Sequence, residues 1–359
     1  MLTKKEIITA LASVPGPDGK TPLPDSGALS DIMISGGRVV FSITADPAQS
    51  GRLEAMRLAA ERAVKGIAGV DMALVTLTAE RPAQPAASTR PSGQPARMRP
   101  GPAQARTPIV GVSHVIAVAS GKGGVGKSTT AANLALALSG EGLRVGILDA
   151  DIYGPSMPRL FGLKGRPEVT QTRVIRPLEA HGLKIMSMGF LVSEETAMVW
   201  RGPMVAGAVQ QLLREVAWEP LDLLVVDMPP GTGDAQLTLA QSIVLAGAVI
   251  VSTPQDLALI DARRGVEMFR KVNAPILGII ENMSSFVCPN CGARHDIFGH
   301  GGARREATRI GVPFLGEIPL ELALRESSDE GTPIVAARPD SPITAAYRDI
   351  ARRVKEAVK

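Results

Sequence analysis

Residues 120–130 read SGKGGVGKSTT; the apolar run HVIAVAS (114–120) leads into them and TTAANLALAL (129–138) leads out. A strand, a glycine-rich loop Gly121-x-x-x-x-Gly126-Lys127-Ser128 and a strong helix former are the context a P-loop demands. The glycines let backbone N–H groups from Gly121 through Gly123, Gly124, Val125 and Gly126 turn inward around phosphate oxygens. The start of the helix, at Ser128 and Thr129, adds partial positive charge. Lys127 is placed to reach β- and γ-phosphates and Ser128 to hold Mg²⁺. Gly121-x-Gly123-x-x-Gly126 also fits a dinucleotide fingerprint, with Asp149 at the end of the next apolar run as the ribose acid. A dinucleotide has no use for Lys127-Ser128, however. Nor does it need Asp227, which closes LDLLVVD (221–227) as a Mg²⁺-linked carboxylate does in P-loop enzymes. A nucleoside triphosphate is the expected ligand.

Outward from the loop, continuous apolar runs recur: RVGILDA, LKIMSMG, LDLLVVD, GAVIVST, APILGII and PFLGEIP, mostly separated by lengths that suit a helix. Runs without alternation mark strands covered on both faces, so residues 109–359 are expected to form an α/β domain, a P-loop parallel sheet layered by helices. Ligands in such sheets sit in loops at the carboxyl ends of strands, where each motif here falls.

Upstream, residues 81–108 hold seven prolines and five arginines without an acid or lysine, the composition of a flexible linker. Without it the formal charge of +4 becomes −1, which leaves no excess for tracking nucleic acid. Before it, residues 1–80 predict a small α+β domain, α-β-β-α-β. Its parts are a helix over 4–13, strands in DIMI and RVVFSITA, a helix carrying Leu53, Met56, Ala60 and Val64, and a strand in ALVTLTA. Thr3 and Glu6 fit a capping box, so the opening segment reads as an ordinary helix rather than a leader. No apolar run is long enough to span a bilayer. A cytoplasmic protein without nucleic-acid or membrane partners is expected.

Asp149 and Asp151, in LDADIYGP, stand two apart at the tip of a strand and so on the same side. DMPPGTGD follows Asp227 with a stiff Pro-Pro and the hinge Gly231, as a loop sensing a γ-phosphate does. KGGVGKST, with its extra lysine Lys122, resembles the deviant Walker-A ATPases. That resemblance implies a homodimer in which Lys122 crosses to the neighbour's nucleotide and offsets charge on the transferred phosphoryl group. It further implies that Asp151 positions the attacking water, that Asp149 and Asp227 support Mg²⁺, and that Asn282 in IIENMS reads adenine. The guanine-reading Asn-Lys-x-Asp pattern is absent there, which favours ATP over GTP.

The only cysteines, Cys288 and Cys291, form Cys-x-x-Cys after that strand. Such a pair suits a redox dithiol, a zinc knuckle completed by His295 and His300, or half of an iron–sulfur site. A [4Fe–4S] cluster usually takes four cysteines; two pairs meeting across a dimer axis supply them. SGKGGVGKST, LDADIYGPSMP, DMPPGTGD, STPQDLALIDARRG, ENMSSFVCPNCG and IFGHGGARREA together resemble the Mrp/ApbC family of ATP-binding iron–sulfur cluster carriers, over residues 109–359. The resemblance implies slow ATP hydrolysis coupled to holding a cluster and passing it to recipient apoproteins. Residues 1–80 resemble the iron–sulfur assembly domain that often precedes this ATPase. That domain commonly carries a cysteine before its second helix, whereas TADPAQSGRLEAM has none, which points to a docking or structural role. The stripe Ile343, Tyr347, Ile350, Val354 and Val358 of the last helix admits a membrane contact; it lacks Trp and Phe, and packing in the domain is expected.

Overall fold

The computed structural model describes residues 2–79, apart from 31, 36, 46–49 and 71, and residues 108–358, apart from 171–173 and 192–201. The linker expected over 81–108 lies outside the described residues except for Pro108. The chain divides into two compact units, Met1–Arg106 and Thr107–Lys359.

In the first unit, α1 (Lys4–Leu11) opens on the expected capping box: Glu6 N–H donates to Thr3 Oγ1, and Thr3 N–H donates to Glu6 Oε2 at 2.8 Å. Strands β1 (Met33–Ser35) and β2 (Arg38–Ala45) pair antiparallel. Helix α2 (Ser50–Lys65) then returns the chain to β3 (Met72–Ala79), parallel to β2. Val39, Phe41 and Ile43, two apart, face Met56, Ala60 and Val64, spaced by a helical turn, so strand and helix periods meet in one core. This is the α-β-β-α-β order of the sequence reading, with an unforeseen 3₁₀ turn at Leu23–Ser26.

The second unit begins with β4 (Val112–Ala119), α3 (Lys127–Gly140), β5 (Val145–Asp149), α4 (Met157–Leu160), β6 (Leu178–Ala180) and β7 (Leu183–Ser187). It continues with α5 (Gly202–Glu215), β8 (Leu221–Asp227), α6 (Asp234–Ser242), β9 (Gly247–Ser252), α7 (Asp256–Lys271) and β10 (Ile276–Val287). It ends with β11 (Arg294–His295), α8 (Gly302–Ile310), β12 (Phe314–Leu320), α9 (Leu322–Asp329), α10 (Ile334–Ala337) and α11 (Pro342–Val358). The seven apolar runs are the seven parallel strands, in the order β12-β10-β9-β4-β8-β5-β7. The additions are antiparallel and short: β6 on the edge strand β7, and β11 on the far end of β10.

Strands β5 and β9 are buried along their whole length, which is why their sequences show no alternation. Helix α3 is buried from Thr130 to Leu138, between the sheet and α11. Ile343, Tyr347, Ile350 and Val354 of α11 are buried in that contact, so most of the stripe on the last helix packs inside the domain. No helix among the described residues is long and apolar enough to cross a membrane. Because β4, β5 and β8 are neighbours, their carboxyl ends bring the P-loop, Asp149–Asp151 and Asp227 to one edge.

Candidate nucleotide site and cysteine hairpin

The P-loop leaves β4 at Ser120, whose Oγ donates to the Lys122 carbonyl at 2.8 Å, and enters α3 through Gly126. Gly126 lies at φ +80°, and a β-carbon there would come within 2.2 Å of Asn282 Nδ2. Only glycine meets both demands. Lys127 and Asp227 are both buried and paired, with Nζ 2.5 Å from Oδ1, and Nζ also donates to Ser128 Oγ at 3.1 Å. The other oxygen of Asp227, Oδ2, is buried without a hydrogen-bond partner. A buried carboxylate oxygen left free beside Ser128 suits a divalent cation, the donor set Mg²⁺ takes in P-loop sites. Burial pushes the Asp227 carboxyl up, while the Lys127 ammonium pulls it back.

Asp149 is wholly buried and its carboxylate is spoken for. Oδ1 accepts from Asp151 N–H at 3.1 Å; Oδ2 accepts from Ser156 N–H, Met157 N–H and Ser187 Oγ, at 2.8, 3.0 and 2.9 Å. It therefore anchors the loop carrying Asp151. Burial, then the neighbouring Asp227 charge, raises its carboxyl to about 7. Asp151 turns its own Oδ1 to the N–H groups of Tyr153 and Gly154. The Lys122 ammonium makes no hydrogen bond or ion pair with the described residues.

Beyond the loop opens a cavity of about 630 Å³, lined by Gly126, Ser128 and Thr129 on one side and Pro319, Leu320 and Glu321 on another. Asn282 borders it; its Nδ2 donates to Val125 O at 2.9 Å, and its Oδ1 is buried without a partner. The far wall brings Arg159 from α4 and Arg325 from α9, which sequence reading missed along with Glu321. No motif marks these residues, because α4 and α9 meet only through tertiary packing.

The strand that carries Asn282 runs on into Phe286, Val287 and Cys288, and β11 pairs back onto it with Phe286 opposite His295. The Cys288 N–H donates to Ala293 O and Gly292 N–H to Cys288 O, both at 2.9 Å, closing a tight knuckle. Cys288 is half-buried and Cys291 exposed. The backbone N–H groups of Cys291 and Asn290, and then the Cys291 thiol, point at the Cys288 sulfur and lower its pKa. Amides aimed at a sulfur favour the thiolate, the form that binds metal.

Among the described residues, one group of three or more His, Cys, Asp or Glu ligand atoms lies within 4.8 Å, and it comprises Glu281, His300 and Glu317. Neither His295 nor His300 joins both thiols. His295 lies across from the Phe286 ring, and His300 Nδ1 sits 3.0 Å from Arg294 Nη2. The knuckle completed by two histidines of the same chain is therefore not assembled here.

A glycine cradle at a helix start, a buried lysine and strand-end carboxylates on a parallel sheet define a P-loop NTPase. A family model described as the NUBPL iron-transfer P-loop NTPase matches residues 111–355, and one described as an iron-sulfur cluster assembly protein matches residues 4–77. The chain belongs to the NUBPL iron-transfer P-loop NTPase family. An iron-sulfur cluster carrier protein of Pseudomonas fragi is 58% identical over 255 residues, spanning 70% of this chain and 89% of that protein. One of Synechocystis sp. is 43% identical over 360 residues, 99% of this chain and 97% of its own. Among solved structures, a nucleotide-binding protein of Archaeoglobus fulgidus in complex with ADP matches with a TM-score of 0.55 at 44% identity, covering 61% of this chain and 87% of that one. The cell division ATPase MinD of Pyrococcus furiosus shares the fold, with a TM-score of 0.52 at 22% identity over 68% of this chain and 99% of that one.

Proposed function

We propose that this protein is a cytoplasmic iron–sulfur cluster carrier. It works as a homodimer, holds a [4Fe–4S] cluster on Cys288 and Cys291 of both subunits, and passes it to recipient apoproteins in a cycle coupled to slow ATP hydrolysis. The observation that carries this reading is the incomplete hairpin. Cys288, poised toward thiolate, stands half-buried beside the exposed Cys291, and among the described residues the same chain brings them no third ligand. A second copy supplies the missing pair. The relatives named as cluster carriers support the cargo.

The chain's own residues divide the phosphate chemistry. Gly121 to Thr129 cradle the phosphates of ATP, and Lys127 exchanges part of its hold on Asp227 for the γ-phosphate. Asn282, which borders the cavity and keeps an unpartnered acceptor oxygen, reads adenine. Ser128 and Asp227 would hold Mg²⁺, which when bound would neutralise charge on the phosphates, with Asp149 in support. Asp151, fixed by Asp149, orients water toward the γ-phosphorus. Lys122 of the partner subunit offsets the charge that develops on the transferred group. The domain split at 1–80, 81–108 and 109–359 assigns this chemistry to the last segment and leaves the first a docking or structural role.

Transfer tests the reading. Anaerobically reconstituted protein is mixed with an apo-enzyme that needs a [4Fe–4S] cluster, in the presence of an iron chelator. The wild type is expected to restore activity, and Cys288→Ala and Cys291→Ala are not. Activation no greater than that by free iron and sulfide would contradict it.

A further inference from the structure

The stretch GHGGARREA (299–307) follows the hairpin, and the chemistry above gives it no task. Its geometry shows one. Glu281 is wholly buried in β10, and its two oxygens accept from Gly301 N–H at 2.9 Å and Ala303 N–H at 2.7 Å, at the start of α8. Gly302 between them has its α-carbon against the turn that follows β9: a β-carbon there would lie 2.4 Å from the Pro254 carbonyl. With both oxygens engaged and Arg294 on His300 Nδ1, the grouping with Glu317 is a clamp on the backbone rather than a cation site.

The clamp closes the hairpin. The chain leaves β10 toward Cys288, turns, pairs back through β11 and is then fastened to β10 again by Glu281. The next residue on that strand, Asn282, faces the opposite side of the sheet, where its amide holds Val125 O of the P-loop. Met283 then adopts φ +57°, a left-handed conformation costly for a side chain of its size, and the pairing of β10 with β12 shifts register between Asn282 and Phe286. A strained break thus separates the nucleotide contact from the cysteine-bearing end, with the Glu281 clamp immediately before it.

We propose that Glu281 is a positioning residue that relays the state of the P-loop to the cysteine hairpin. Whatever moves Asn282 on one face of β10 moves the Glu281 carboxylate on the other, and with it the Gly301–Ala303 anchor of the hairpin's return. The effect is reciprocal, since a coupling between two sites acts equally in both directions. The inference rests on the nucleotide reading of the cavity and holds whether or not the thiols carry a cluster.

The test is amide hydrogen exchange on the full, reduced, metal-free chain, with and without Mg²⁺ and a non-hydrolysable ATP analogue. In the wild type the analogue should change exchange at Gly301 and Ala303, and across 286–295, by about tenfold. In Glu281→Gln, binding of the analogue should persist while that change is lost; Glu281→Asp, which keeps the carboxylate on a shorter stem, should restore part of it. The proposal is overturned if Glu281→Gln keeps the wild-type response, or if the wild type binds the analogue without any change at the hairpin. Failure of the wild type to bind the analogue would remove the nucleotide reading itself, a distinct result. Should Glu281→Gln not fold, Asn282→Ala at saturating analogue cuts the same path at its other end and must also lose the response.

Discussion

The P-loop and the cysteine hairpin both touch β10, yet they are built on opposite principles. At the P-loop, charge is buried and paired within the chain: Lys127 is 6% exposed, Asp227 fully covered, and Asp149 carries four hydrogen bonds. At the hairpin two thiols stand near solvent, and the Cys288 sulfur is met only by two backbone amides and the neighbouring Cys291 thiol. The difference separates a site that is part of the fold from one that the fold merely presents. Damage to the first should cost stability as well as chemistry, and damage to the second chemistry alone.

Lys127→Ala is the hardest blow to that contrast. It strands the Asp227 carboxylate in the interior, at a cost of about 3–5 kcal/mol, and should slow phosphate release by at least about a hundredfold. Denaturant unfolding and a phosphate assay check both, and adding Asp227→Asn should recover much of the stability. Wild-type stability in Lys127→Ala would mean that the pair is not the internal strut described here. Gly126→Ala comes next. Forcing a side chain to φ +80° against Asn282 should cost about 1–3 kcal/mol and weaken nucleotide binding, read by calorimetry.

Asp149 sharpens the comparison through pH. Its folded pKa, about 7, lies above the unfolded value of 3.8, so between these the folded chain keeps a proton that the unfolded chain has lost. Its contribution to stability therefore falls as pH rises through that window and levels off above it. Asp149→Asn should remove that slope, seen by comparing urea midpoints at several pH values in metal-free protein; an unchanged slope would assign it to other groups. The smallest effect belongs to the hairpin. Cys288→Ala should change stability by no more than about 0.5 kcal/mol while abolishing iron retention after reconstitution.

The same division governs what could be read from the chain. The inner parallel strands were legible because burial on both faces writes itself as unbroken apolar runs, and the P-loop because its glycines must recur at fixed spacing. The α-β-β-α-β unit was legible because Val39, Phe41 and Ile43 alternate against a helical stripe at Met56, Ala60 and Val64. Strands β6 and β11, three and two residues long, are too short to show a period. Arg159, Glu321 and Arg325 were hidden because the cavity wall they form is made by packing between elements remote in sequence. Glu281 was hidden for another reason: a lone acid at the end of APILGII reads as the strand's polar terminus, and only the fold shows its carboxylate turned inward onto α8.

The central claim is that each subunit brings half of the metal site. Anaerobic reconstitution with iron and sulfide, followed by light scattering and metal analysis on one sample, tests it most directly. The account predicts a dimer holding about four irons and four sulfides, lost in both Cys288→Ala and Cys291→Ala. A monomer carrying one equivalent of zinc or iron, indifferent to sulfide, would contradict it.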